Sequence, residues 1–155
     1  MKVLFVCLGN ICRSPLAEGL LRDKIRKKNL PVEMDSAGTG GWHAGENPDP
    51  RAVATARKFG VDISGLVARQ FSADDFLRFD KIYVMDKANY RDVLSLAKEE
   101  SHRAKVDFFL NVTSPGSNAD VPDPWYGGAD GFVSVYKMLD EAAEALVAKI
   151  ETEAW

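Results

Sequence analysis

Apolar residues fall along the chain in two patterns, short continuous runs and longer stretches of helical period. Residues 3–6 (VLFV) form an unbroken β-branched and aromatic run, which predicts a buried parallel strand at the centre of a sheet. Pro15 stands at a favoured first helical position. Leu16, Ala17, Leu20, Leu21, Lys24 and Ile25 follow at helical spacing until Lys27, Lys28 and Asn29 close the helix. A weaker strand is expected over residues 32–36, then a glycine-rich loop over 37–47, whose length in a compact domain suggests function. A second helix should run from Pro50 to Gly60 with Ala52, Val53, Ala56 and Phe59 inward. Residues 72–75 have the form of a capping box opening a short helix through Phe79. Residues 81–85 read as a third strand, 87–100 as a helix, 106–110 as a fourth strand and 115–126 as a loop. Within 129–154, Phe132, Val135, Tyr136, Leu139, Ala142, Ala143, Leu146 and Ile150 share one face of a long closing helix.

Strands alternating with helices predict a doubly wound parallel α/β sheet, and 155 residues make one domain over 1–155. The 46% hydrophobic and 28% charged residues suit a globular core. A formal net charge of −3 offers no excess of cations to neutralise a polyanion, so nucleic acid is not an expected partner. Cys7 and Cys12 are too few for a disulfide framework and too close for a four-ligand zinc site. Free thiols suit a reducing compartment, and a cytoplasmic location is expected. The apolar run at the amino end stops at Gly9-Asn10 without a cleavage site, and no stretch reaches the roughly 18 to 20 apolar residues of a membrane span. His43 and His102 lack the partner spacing of a metal site and are expected at the surface; no metal and no cofactor are expected. The run Lys24, Arg26, Lys27, Lys28 reads as a solvated helix end suited to the dipole.

The candidate chemistry lies in the loop after the first strand, Cys7-Leu8-Gly9-Asn10-Ile11-Cys12-Arg13-Ser14. Ligands of open α/β sheets bind beyond the carboxyl ends of strands. A loop feeding a helix amino terminus presents unpaired N–H groups and a positive dipole end to a tetrahedral oxyanion. Arg13 adds a bidentate cation for two phosphate oxygens. The same field favours a thiolate over a thiol, which would make Cys7 a ready nucleophile. Ser14 could donate a hydrogen bond to the thiolate, and Gly9 and Asn10 suit the positive φ such a cradle needs. Expelling a phenolate, whose conjugate acid has a pKa of about 10, calls for a general acid. Asp123 is the candidate, held between prolines in VPDPWYGG beside aromatics that could wall an aryl group. It would later act as base toward water.

The segments VCLGNICRSP and DPWYGG resemble the low-molecular-weight protein tyrosine phosphatase family. Asp35-Ser36-Ala37-Gly38-Thr39, Ala68-Arg69-Gln70 and Met85-Asp86-Lys87-Ala88-Asn89 stand between them in that family's order, so the resemblance covers nearly the whole chain. It implies a four-stranded parallel sheet with helices on both faces, a phosphocysteine intermediate and no metal. In the implied roles Cys7 is the nucleophile, Arg13 the phosphate clamp and Asp123 the general acid. The phosphate cradle spans Leu8, Gly9, Asn10, Ile11, Cys12, Arg13 and Ser14. Leu8, Trp42, Asn47, Trp125 and Tyr126 are implied around the pocket mouth, and tyrosine-phosphorylated proteins are the implied partners, with inorganic phosphate as product. Asn10, Ser14 and Asp86 are expected as supporting residues, Asp86 by orienting Arg13 or the general-acid loop. Cys12 reads as a small buried residue or as the thiol that traps an oxidised Cys7 in a disulfide. Many relatives carry a histidine two residues before the Ala-Arg-Gln triplet where this chain has Leu66, so the bracing of Asn10 is expected to differ.

Three other functions are compatible with a cradle or fold of this kind. A thiol-type arsenate reductase would pass a disulfide to further cysteines, and none follows Cys12. A non-catalytic phosphopeptide-binding module would not need Asp123. A phosphocysteine-carrying sugar-transport subunit has a similar shape without needing Arg13.

Overall fold

A computed structural model describes residues 1–153. Four parallel strands lie in the order β2-β1-β3-β4: β1 (Lys2–Cys7), β2 (Glu33–Gly38), β3 (Lys81–Val84) and β4 (Val106–Phe108). The expected central position of the first strand is observed. β1 is apolar throughout because both its faces are covered: Val3, Phe5 and Cys7 enter one core layer, Leu4 and Val6 the other. The first layer is closed by α1 (Arg13–Lys28), α2 (Pro50–Lys58) and α6 (Ala129–Glu151). The second lies under α3 (Asp75–Arg78) and α4 (Lys87–Leu94), with α5 (Glu100–Arg103) following. The fold is thus the expected α/β sheet with helices on both faces.

Four boundaries depart from expectation. The first helix begins at Arg13, two residues before Pro15, which brings its free N–H groups into the loop. The second strand runs on to Gly38, because Gly38 pairs with Cys7 in register. The stretch expected as one helix over 87–100 ends at Leu94. Bonds from Leu96 N to Val93 O and from Ala97 N to Leu94 O tighten its end, keeping Ala97 on the core before Glu99 turns extended. The fourth strand stops at Phe108, and residues 109–112 form a 3-10 turn, with Asn111 donating back to Asp107. In the capping box at 72–75 only one half forms, Ser72 N donating to Asp75 Oδ2. The expected end of the closing helix, Ala154, lies outside the described residues.

The cationic helix end is less solvated than expected. Lys24 bridges to Asp140 and Glu144 of α6, each at 2.8 Å, and Lys28 to Glu151 at 2.8 Å. Among the described residues no helix is long and apolar enough to cross a membrane, and no cluster of His, Cys, Asp and Glu could hold a metal ion.

Candidate active site

Cys7 ends β1 and Arg13 begins α1, so the intervening residues wrap the carboxyl edge of the sheet at the point where β1 meets both neighbours. Asn10 adopts φ 57°, a left-handed conformation that asparagine tolerates. Gly9, expected to share it, does not; there a Cβ would come within 3.0 Å of the His43 ring. Gly38 is needed for a similar reason, since a Cβ there would stand 2.8 Å from the Leu8 carbonyl oxygen. Among the described residues, no backbone N–H from Leu8 to Ser14 donates to a protein acceptor. These donors and the dipole of α1 make an anion cradle around the Cys7 sulfur.

Arg13 is buried, 2% exposed, and its guanidinium is oriented from one side. Nη1 donates to Asp86 Oδ2 at 2.7 Å and to the Val121 carbonyl at 2.9 Å. The Nε–Nη2 edge makes no hydrogen bond to the described residues and is left as a bidentate donor pair. Burial alone would weaken the cation, but the negative charges at Cys7, Asp86 and Asp123 outweigh it and hold Arg13 protonated above its ordinary range. Asp86 also caps α4: its Oδ1 accepts from Asn89 N, while its own N–H donates to Asn89 Oδ1. One carboxylate therefore ties the phosphate clamp to a helix end. Asp123 Oδ2 lies 3.7 Å from Arg13 Nη2, and Oδ1 accepts from Trp125 N.

A buried chain of hydrogen bonds leads to the Cys7 sulfur. Ser36 donates to Glu18 Oε1 at 2.6 Å, so its oxygen is free to accept from Asn10 Nδ2. The same amide donates to Ser14 Oγ at 2.7 Å, leaving the Ser14 hydroxyl hydrogen for the Cys7 sulfur 3.0 Å away. Asn10 Oδ1 accepts from Arg69 N, so the amide is held on both sides. Leu66 packs against the core, its carbonyl accepting from Asn47 Nδ2 and its N–H donating to the Ile63 carbonyl, and it makes no hydrogen bond with the Asn10 amide. Glu18 and Arg69 are members of this site that sequence reasoning missed. Glu18 lies one helical turn beyond Ser14 on α1, the one available signal.

Burial pushes the Glu18 carboxyl upward against the opposing bonds from Ser36 and Arg22. A carboxyl raised above its unfolded value of about 4.3 binds more protons folded than unfolded in the window above that value. Its stabilisation is present below the window and declines as pH rises through the folded value. Glu18→Gln has no such titration, so variant stability minus wild-type stability should grow between about pH 4.5 and pH 7 in urea unfolding. A difference that stays flat or shrinks over that range would rule this out.

The cleft above Cys7 has a volume of about 210 Å³ and is lined by cradle residues together with Trp42, His43, Asp123, Trp125 and Tyr126. Leu8, Trp42, Trp125 and Tyr126 line the cleft, with Trp42 72% and Tyr126 87% exposed. Asn47 does not line the cleft, because its amide donates to the Leu66 carbonyl. His43 does, with Nδ1 3.0 Å from Glu46, although the sequence placed it on the open surface. His102 also departs from expectation: it lies parallel to the Phe76 ring at 5.0 Å, with only a small part exposed. Cys12 is a buried free thiol of the cleft lining. Burial, followed by the charges of Asp49, Cys7 and Asp123, pushes that thiol far up.

A parallel α/β sheet whose central strand delivers a cysteine into an anion cradle at a helix amino terminus, faced by a buried arginine and the Asp123 carboxyl, has the form of a cysteine-centred anion site. The sequence pattern described as low molecular weight phosphotyrosine protein phosphatase matches residues 2–154. A Schizosaccharomyces pombe protein of that description is 43% identical over 153 residues, 97% of each chain. A Bacillus subtilis low molecular weight protein-tyrosine-phosphatase is 41% identical over 157 residues, 99% of this chain and 97% of its own. A solved protein tyrosine phosphatase of Entamoeba histolytica has a TM-score of 0.92 at 36% identity, covering 100% of this chain and 99% of that one. The chain belongs to the low molecular weight phosphotyrosine protein phosphatase family.

Proposed function

We propose that the protein hydrolyses aryl phosphate monoesters, phosphotyrosine in proteins being the natural form, through a cysteinyl phosphate. The observation that carries this reading is the Cys7 sulfur set in a cradle of unpartnered N–H groups with the free edge of Arg13 beside it. The Cys7 thiolate attacks phosphorus while the bond to the aryl oxygen breaks and Asp123 gives that oxygen its proton. Water then attacks the phosphocysteine, Asp123 takes a proton from it, and the S–P bond breaks to release inorganic phosphate. The Ser14 hydroxyl stabilises the departing thiolate. The aromatic residues lining the cleft suit a flat ring.

Cys12 is the partner with which a peroxide-oxidised Cys7 would close a disulfide, the Cys7 sulfenic acid condensing with the Cys12 thiol and releasing water.

Asp123→Asn tests the proton step. It keeps the shape and the bond from Trp125 N but has no proton to give, so kcat/KM for phenyl phosphate should fall by about 10²-fold or more. A variant as fast as wild type on phenyl phosphate would remove Asp123 from the mechanism.

A further inference from the structure

We propose that Arg51 is a positioning residue that fixes the general-acid loop at a set distance from the phosphate cradle; this rests on the aryl phosphatase reading above. Asp123 sits in a segment with little of its own to hold it. Upstream, Val121 is tied by its N–H to the Met85 carbonyl and by its carbonyl to Arg13. Over residues 123–127 the hydrogen bonds among the described residues are internal, Trp125 N to Asp123 Oδ1 and Gly127 N to Pro124 O, save one. That one is Arg51 Nη1 donating to the Trp125 carbonyl at 3.3 Å.

Arg51 is itself well oriented. Its Nε and Nη2 donate to the two oxygens of Asp49 at 3.1 and 3.0 Å, a planar fork that only guanidinium can supply. Its Cζ lies 5.2 Å from the centre of the Trp125 ring and 4.8 Å from that of Phe132 at the start of α6. Asp49 is anchored in turn, because its N–H donates to the carbonyl of Ile11 in the cradle at 2.8 Å. A continuous path therefore runs from Ile11 through Asp49 and Arg51 to Trp125, two residues from the acid. Arg51 does not line the cleft. It acts on Asp123 through the backbone that carries it, and so should matter in proportion to how much a reaction needs the proton.

The experiment compares kcat/KM for phenyl phosphate, a poor leaving group, and p-nitrophenyl phosphate, a good one, in wild type, Arg51→Met and Arg51→Lys. Each substitution is repeated in an Asp123→Asn background. Both variants should lose about tenfold or more on phenyl phosphate and less than about threefold on p-nitrophenyl phosphate, with no further loss once Asp123 is Asn. Inhibition by inorganic phosphate should stay at its wild-type strength. Equal losses on the two substrates, losses that persist in the Asp123→Asn background, or full rescue by lysine would overturn the proposal. Asp49→Asn, which loosens the fork while keeping its shape, must show the same substrate selectivity and decides the matter should Arg51→Met not fold. Wild type inert toward both esters would instead refute the phosphatase reading itself, a result no Arg51 variant can produce.

Discussion

Cys7→Ser should lower kcat/KM for p-nitrophenyl phosphate by at least about 10⁴-fold and leave the binding of inorganic phosphate within a few-fold of wild type. A serine hydroxyl is neutral at pH 7 and needs a base to become a nucleophile. The partner of the Cys7 sulfur is the Ser14 hydroxyl at 3.0 Å, which can donate but has no charge with which to take a proton. Phosphate, by contrast, is held by the backbone N–H groups of Leu8 to Ser14 and by Arg13, none of which the substitution removes. Losing the thiolate also removes a negative charge beside the anion. Turnover with phosphate affinity intact but hydrolysis above about one per cent of wild type would show that Cys7 is not the nucleophile. Loss of both would show that its thiol is needed to shape the cradle.

Arg13→Lys should cost about 10³-fold in kcat/KM and weaken inorganic phosphate by about tenfold or more, although the charge is kept. The guanidinium makes two protein contacts from Nη1 and keeps a second edge for two oxygens. A lysine ammonium is one point with three donors, and cannot hold Asp86 Oδ2, the Val121 carbonyl and two phosphate oxygens in their places at once. With Arg13 only 2% exposed, water cannot make good the missing contacts. The transition state carries more charge on those oxygens than the bound ester, so kcat should suffer beyond KM. A lysine variant within tenfold of wild type would mean that charge, rather than the planar fork, is what the site uses.

How far each part of the site was legible follows from how its residues are spaced. The strand, loop and helix from Val3 to Ile25 could be read directly because one contiguous segment makes the nucleophile, the cradle and the clamp. Asp123 stood out through its prolines and aromatics. Asp86 was legible only as a supporting residue, and its double use, capping α4 with one oxygen and aiming Arg13 with the other, emerged from the fold. Asn47 was misplaced because a loop polar residue can turn either to the cleft or to the backbone, and here the Leu66 carbonyl took its amide. His43 was missed because nothing in the spacing of a glycine-rich loop says that it folds back over Gly9. The break between α4 and α5 is likewise unmarked by proline or glycine; burial of Ala97 decides it.

The sequence by itself determined the alternating α/β pattern, its first strand and the Cys7–Ser14 segment that joins that strand to the following helix. Hydrophobic period and turn chemistry act between near neighbours, and those features are built from near neighbours. Only the tertiary structure decided what holds them in register: Arg13 aimed by groups 73 and 108 residues away, Asn10 held by Ser36 and Arg69, and the acid loop tied to Arg51 across 74 residues. Each of those contacts is a directional bond between side chains that no local pattern brings together. They form where the closed sheet places strand ends and loops side by side, and there burial makes an unmade bond costly enough for one arrangement to win.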